Sequence, residues 1–183
     1  NLENLAKKDC VVAIGECGLD YNRDFSPRDI QRKYFEAQIE LACQTGLSLF
    51  LHERDAFEDF YKILEKYKID IPNMVVHCFT GRKEELLAYL ELGCYIGITG
   101  WICDERRGKH LIDLIKIIPQ NKLMIETDAP FLTPRNLDER LKDGRNEPKY
   151  LVHILDELAY HLGEDIEYLA EQTYKNTKRF FNI

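Results

Sequence analysis

The chain is poor in several things at once. Its 183 residues include only 10 Gly, 6 Pro, 2 Met and a single Trp. So little Gly and Pro excludes collagen-like and low-complexity chains, and 45% apolar residues exclude a disordered one. No apolar run approaches the ~20 residues that a bilayer crossing needs. No charged-then-apolar leader opens the sequence, so a cytoplasmic protein is expected, with no membrane partner. An excess of basic residues is missing too: 25 Lys and Arg face 32 Asp and Glu, a formal charge of −7. That argues against tight nonspecific binding of nucleic acid to a basic surface. It leaves room for an acidic cleft whose charge is answered by divalent cations. The six cysteines form no CxxC pair, and most sit in apolar patterns where a thiol acts as a small hydrophobe, so disulfides are not expected.

What is present is an alternation of short apolar runs and longer segments with helical spacing. Val11 to Gly15 is the first run, followed by Ser26-Pro27 as a helix start. Ile30, Tyr34, Phe35, Ile39 and Ala42 then mark a helical face, and Gly46 marks its stop. Leu47 to Leu51 is the second run, and Phe57, Phe60, Tyr61, Leu64 and Tyr67 form the next helical stripe. Met74 to Val76 leads into a helix over roughly 82–92. Cys94 to Ile98 leads into one carrying Leu111, Leu114, Ile115 and Ile118. Lys122 to Glu126 is the fifth run, and two helices follow, around 150–162 and 165–180. No linker interrupts the series, so residues 1–183 read as one domain. Near-continuous apolar strands alternating with helices imply a parallel sheet covered by helices. An open doubly wound sheet and a (β/α)8 barrel compete; Gly15-Glu16-Cys17-Gly18 has the wrong spacing for a dinucleotide loop, so no nucleotide cofactor is expected, and the residues at the strand ends favour the barrel.

A chemically useful residue stands where each run stops: Glu16, His52, His77, Thr99-Gly100 and Asp128. Glu16 and Asp128 are 112 residues apart, about 28 per strand-to-strand step; a (β/α)8 barrel of about 250 residues averages about 31. In such a barrel the C-terminal strand ends share one mouth, where active sites are built. Two imidazoles and two carboxylates suit first-row divalent metals, and paired ions suit phosphoester hydrolysis. Each residue alone has a plainer reading: His52 as a polar residue near a helix start, Glu16 as a turn acceptor, Asp128 as a turn organiser before Pro130. Four such residues at one topological position favour a metal site. His110, His153 and His161 fall in helical segments and read as surface residues.

At these positions the sequence resembles the TatD family of metal-dependent deoxyribonucleases. The resemblance runs through Gly15-Glu16-Cys17-Gly18-Leu19-Asp20-Tyr21, Leu51-His52-Glu53-Arg54-Asp55-Ala56 and His77-Cys78-Phe79-Thr80-Gly81. It continues through Gly97-Ile98-Thr99-Gly100-Trp101, Ile125-Glu126-Thr127-Asp128-Ala129-Pro130 and Arg145-Asn146-Glu147-Pro148. It implies a TIM-like barrel of the amidohydrolase type and a divalent site working with magnesium, with zinc or manganese as alternatives. It also implies hydrolysis of DNA, single-stranded or damaged, often from the 3′ end, with a place in DNA repair. By position, Glu16 corresponds to a bridging carboxylate, His52 and His77 to ligands of one metal, and Asp128 to the ligand of the other that orients the attacking water. Glu16 and Asp128 are thus the expected catalytic carboxylates. The family's His-x-His strand has no counterpart here, and five strands are legible where a closed barrel has eight. The expectation is therefore an incomplete barrel, the C-terminal two-thirds of such a protein, with sheet edges that a partner chain or a further segment would cover.

Three residues near the strand ends fit a polyanionic substrate. Arg54 and Arg145 have the fork that suits phosphate oxygens, and each could equally pair with one of the 32 carboxylates. Trp101 could stack a base or pack as a lid, with Phe79 and Phe131 as weaker counterparts. Two rival readings remain open: a metal-dependent deacylase or small-ester hydrolase of the same superfamily, and a fragment without activity.

Overall fold

The structure is a computed structural model that describes residues 2–137 and 143–183. The strands are β1 (Ala13–Asp20), β2 (Ser48–Arg54), β3 (Met74–Val76), β4 (Tyr95–Ile98) and β5 (Leu123–Ile125). They follow one another in the sheet in chain order, β1-β2-β3-β4-β5, and the pairs β1–β2, β2–β3 and β4–β5 are parallel. The helices are α1 (Leu2–Ala6), α2 (Arg28–Thr45), α3 (Phe57–Tyr67), α4 (Lys83–Glu91), α5 (Leu111–Leu114), α6 (Leu151–Leu162) and α7 (Ile166–Phe181). Parallel strands joined through helices, five among the described residues where a closed barrel has eight, are an incomplete TIM-like α/β barrel. Among the described residues no helix is long and apolar enough to cross a membrane.

The chain divides into two compact units. The first holds residues up to His77, the stretch from Glu84 to Tyr95, and the last six residues. Its core is aromatic: Phe35 of α2 stacks on Phe60 of α3 at 5.1 Å, and Tyr89 of α4 meets Phe60 edge-on at 5.8 Å. Ser48 Oγ, buried at the start of β2, donates to the Phe180 carbonyl and ties the end of α7 to this unit. The second unit holds Cys78–Lys83 and the described residues from Ile96 to Thr177. Asn176 of α7, 2% exposed, donates to the carbonyls of Gln120 and Leu123 at 2.7 Å each, which fixes the entry to β5.

Local details depart from the sequence pattern for physical reasons. The buried stripe of α2 is Phe35, Ile39 and Ala42. At about 100° per residue, Tyr34 and Ile30 fall well off that stripe, and they are 61% and 39% exposed. Ser26 makes no cap; Gln31 instead holds the first turn, its Nε2 donating to the Ser26 carbonyl at 2.8 Å. Gly46 ends α2 at φ +72, as a left-handed stop requires. The helix expected through Ile118 is one turn of α5 followed by a 3-10 turn at Ile115–Ile117, although Leu111, Leu114, Ile115 and Ile118 are all buried. His110 stands in the turn before α5 rather than in a helix, with Nε2 3.0 Å from the Thr80 carbonyl. The short helix α1 was not expected. All six cysteines are free thiols.

Candidate functional site

The first apolar run does not stop at Glu16. β1 continues to Asp20, and its pairing with β2 skips one residue: Gly15 faces Phe50, Cys17 faces Leu51, Gly18 faces His52 and Asp20 faces Arg54. Glu16 is the residue left out of the ladder, so its side chain is released from the strict alternation of the strand. Glycine makes the close approach possible. A Cβ on Gly18 would land on the His52 carbonyl, and one on Gly15 would sit 2.5 Å from the Phe50 carbonyl oxygen. The Gly15-Glu16-Cys17-Gly18 stretch is thus a strand irregularity that aims a carboxylate. His52 likewise lies inside β2 rather than beyond it.

These two strands bring three side chains together. His52 Nδ1 is 2.8 Å from Glu16 Oε1, and His52 Nε2 is 3.3 Å from Asp20 Oδ2. The Glu16 bond holds the imidazole above its ordinary 6.5 despite burial, with Asp20 adding to the effect. The same bond from His52 holds Glu16 below the usual carboxylate range, against burial and with help from the nearby His77 charge. At Asp20 burial pushes upward, but the Arg23 backbone N–H and His52 outweigh it and the carboxyl is lowered. Asp20 is further fixed by backbone N–H donation from Asn22 at 3.1 Å and Arg23 at 2.8 Å. Gln31 clamps its main chain, accepting from the Asp20 N–H at 2.9 Å. Asp20 and Gln31 are the members that sequence reasoning passed over. Asp20 lay in the Gly-Leu-Asp-Tyr stretch already singled out; Gln31 gave no local signal.

His77 directly follows β3, donates its N–H to the Leu51 carbonyl at 2.9 Å and lies with its ring 5.0 Å from Phe50. Arg54 closes β2 with an exposed side chain. In the second unit, Glu126 follows β5 and its Oε1 accepts from the Cys78 N–H at 2.6 Å. Gly97 leaves room for it: a Cβ at that position would meet the Glu126 carboxylate and displace it. Asp128 stands two residues on, half-buried, its carbonyl accepting from the Phe131 N–H at 2.7 Å. Trp101 is the second residue of the 3-10 turn Gly100–Cys103 and is half-buried. Arg145 is exposed, its N–H donating to Asp143 at 3.1 Å, three residues before Pro148. Phe79 is buried, whereas Phe131 is 69% exposed.

Among the described residues no three His, Cys, Asp or Glu side chains form a ready-made metal site. The donor chemistry nevertheless fits a divalent cation. Glu16, His52 and Asp20 supply carboxylate oxygens and imidazole nitrogens in mutual contact, and each His52 nitrogen is occupied by a carboxylate.

A parallel α/β sheet of barrel type, with imidazole and carboxylate groups gathered on adjacent strands, is the architecture of a TIM-like barrel hydrolase. More narrowly, the chain belongs to the family described as TatD-related DNase, whose model matches residues 1–182. The chain is 51% identical over 182 residues to the "3'-5' ssDNA/RNA exonuclease TatD" of Rahnella sp. (strain Y9602), covering 100% of this chain and 69% of that protein. It is 50% identical over 179 residues to the protein of the same name from Escherichia coli (strain K12), covering 98% and 69%. Among solved structures, the crystal structure of the TatD homologue YJJV from Escherichia coli K12 superposes with a TM-score of 0.89 at 28% identity, covering all of this chain and 69% of that one.

Proposed function

We propose that the chain is a divalent-metal-dependent exonuclease that hydrolyses phosphodiester bonds of single-stranded DNA or RNA from the 3′ end, in the cytoplasm. The observation that carries this reading is His52, held between Glu16 and Asp20 on neighbouring strands, within a chain half identical to nucleases so named. Glu16, His52 and His77 would hold the cation, with magnesium as the working ion. When bound, it supplies Lewis acidity to the attacking water and offsets charge on the phosphoryl oxygens.

This chain's own groups do the positioning. With a cation bound, Asp20 would accept the Nε2–H of a neutral His52 and leave the Nδ1 lone pair on the Glu16 side for the ion. The backbone bonds at Asp20 keep that carboxylate from rotating away. The Cys78 N–H, anchored on Glu126, fixes the residue next to His77. Asp128 is proposed as the carboxylate that takes a proton from the attacking water, on its place in the Glu126-Thr127-Asp128 motif alone. Arg54, Arg145 and Trp101 are proposed contacts for the strand.

A 5′-labelled single-stranded oligonucleotide tests the proposal. Added Mg2+ should give progressive shortening that stops with chelator and drops at least a hundredfold in His52→Ala. Turnover of an aminoacyl ester with no attack on the oligonucleotide would replace this reading with the deacylase one.

A further inference from the structure

Trp101, the only tryptophan of the chain, lines a surface cleft with Asp104, Arg106, Arg107, Thr133 and Arg135. Among the described residues, three guanidinium groups face one carboxylate in this lining, a net positive charge on a protein whose overall charge is −7. Asp104 is 5% exposed and organises the wall. It accepts from Arg106 Nε at 3.2 Å and Nη2 at 3.0 Å and from the Arg106 backbone N–H at 3.0 Å, while Arg135 Nε lies 3.7 Å away. Arg106 holds its carboxyl down at about 2, so the anchor is ionised at any working pH. The loop beneath is tied to itself: the Asp104 N–H donates to the Trp101 carbonyl at 3.0 Å, and the Gly108 N–H to the Asp104 carbonyl at 2.7 Å. Arg107 stands over the Trp101 ring at 5.9 Å.

The wall is therefore set before any ligand arrives. Arg106 and Arg135 keep 57% and 46% of their side chains exposed although both face a buried acid. A guanidinium has five donors, and Arg106 commits only its Nε and Nη2 groups to Asp104. A flat aromatic face beside forked cations is the chemistry that binds one nucleotide of a flexible strand, the base stacked and the phosphate gripped.

We propose that this cleft is a nucleotide subsite of a single-stranded nucleic acid, with a base on Trp101 and the adjoining phosphate held by Arg107 and Arg135, Asp104 presetting the arginines. It deepens the nuclease reading and rests on it. It also explains how an acidic protein grips a polyanion: the cations are gathered around one buried carboxylate rather than spread over the surface.

Trp101 is its own reporter. Titrating the full chain with hexathymidylate in the presence of EDTA, where no turnover occurs, should quench Trp101 emission saturably. Arg107→Gln and Arg135→Gln should each weaken binding about tenfold, and millimolar inorganic phosphate should compete. Arg107 lies over the indole rather than on Asp104, so its variant leaves the buried acid paired; far-UV circular dichroism checks the fold of both. Absence of saturable quenching, or unchanged affinity in both variants, overturns the subsite. Binding in EDTA without cleavage in Mg2+ upholds the subsite and sinks the nuclease reading. Cleavage in Mg2+ by a chain whose affinity ignores both substitutions does the reverse.

Discussion

Replacing Gly18 by alanine should unsettle the fold and the site together, and the cost can be worked out from the structure. At φ +152 a side chain is rarely accommodated; holding it there costs about 1–3 kcal/mol. The new Cβ would also fall on the His52 carbonyl, with the His52 carbonyl carbon at 2.8 Å. β1 and β2 must part at the Gly18–His52 pair, and losing two ladder hydrogen bonds costs roughly 2 kcal/mol more. The sum is about 3–5 kcal/mol, or a fall in Tm of roughly 10 °C for a domain of this size. Gly46→Ala is the matched control: it has φ +72 with nothing within 4 Å of its Cβ, so only the backbone cost of about 1–2 kcal/mol applies. Thermal unfolding followed by circular dichroism, with both variants in EDTA, reads the difference. The same separation moves His52 away from Glu16, so the rise in Tm on adding Mg2+ should shrink in Gly18→Ala and persist in Gly46→Ala. Two variants melting within about 3 °C of each other would refute the argument that close strand approach builds this site.

Two further outcomes follow from named contacts. Asn176→Ala removes both donors to the buried Gln120 and Leu123 carbonyls and should cost about 2–4 kcal/mol in urea unfolding; a loss under about 1 kcal/mol would show that water replaces them. His52 has its proton affinity raised by Glu16, so its contribution to stability is complete below pH 6.5 and is lost as pH rises through the folded-state value. In EDTA, the stability gap between wild type and His52→Gln should therefore narrow from pH 6 to pH 9, while apparent Mg2+ affinity rises over the same range; a gap constant with pH would contradict the Glu16–His52 pairing.

The apolar runs located the strands but not all their ends, because a buried parallel strand has to be almost wholly apolar while a strand end does not: Met74–Val76 matched to the residue, whereas β1 runs on to Asp20 and β2 to Arg54. Helix faces read equally well where the stripe is continuous, as at Phe57, Phe60 and Leu64. The pattern misled where burial is incomplete, at Ile30 and Tyr34, and where one apolar face is shared by two kinds of turn, at Leu111–Ile118. For the site, residue type and spacing singled out Glu16, His52, His77 and Asp128, since carboxylates and imidazoles stand out beside apolar runs.

Family and fold class were thus written in the order of the amino acids. Only the folded chain decided that Glu16 and His52 lie within their strands, that a skipped residue turns Glu16 toward His52, and that Asp20 and Gln31 join them. The reason is physical: apolar periodicity reports burial along one element. A hydrogen bond between strands depends on register and on how closely two backbones approach, here set by Gly15 and Gly18. The arginines of the Trp101 cleft tell the same story, because Arg106 and Arg135 are 29 residues apart and meet only through a buried Asp104.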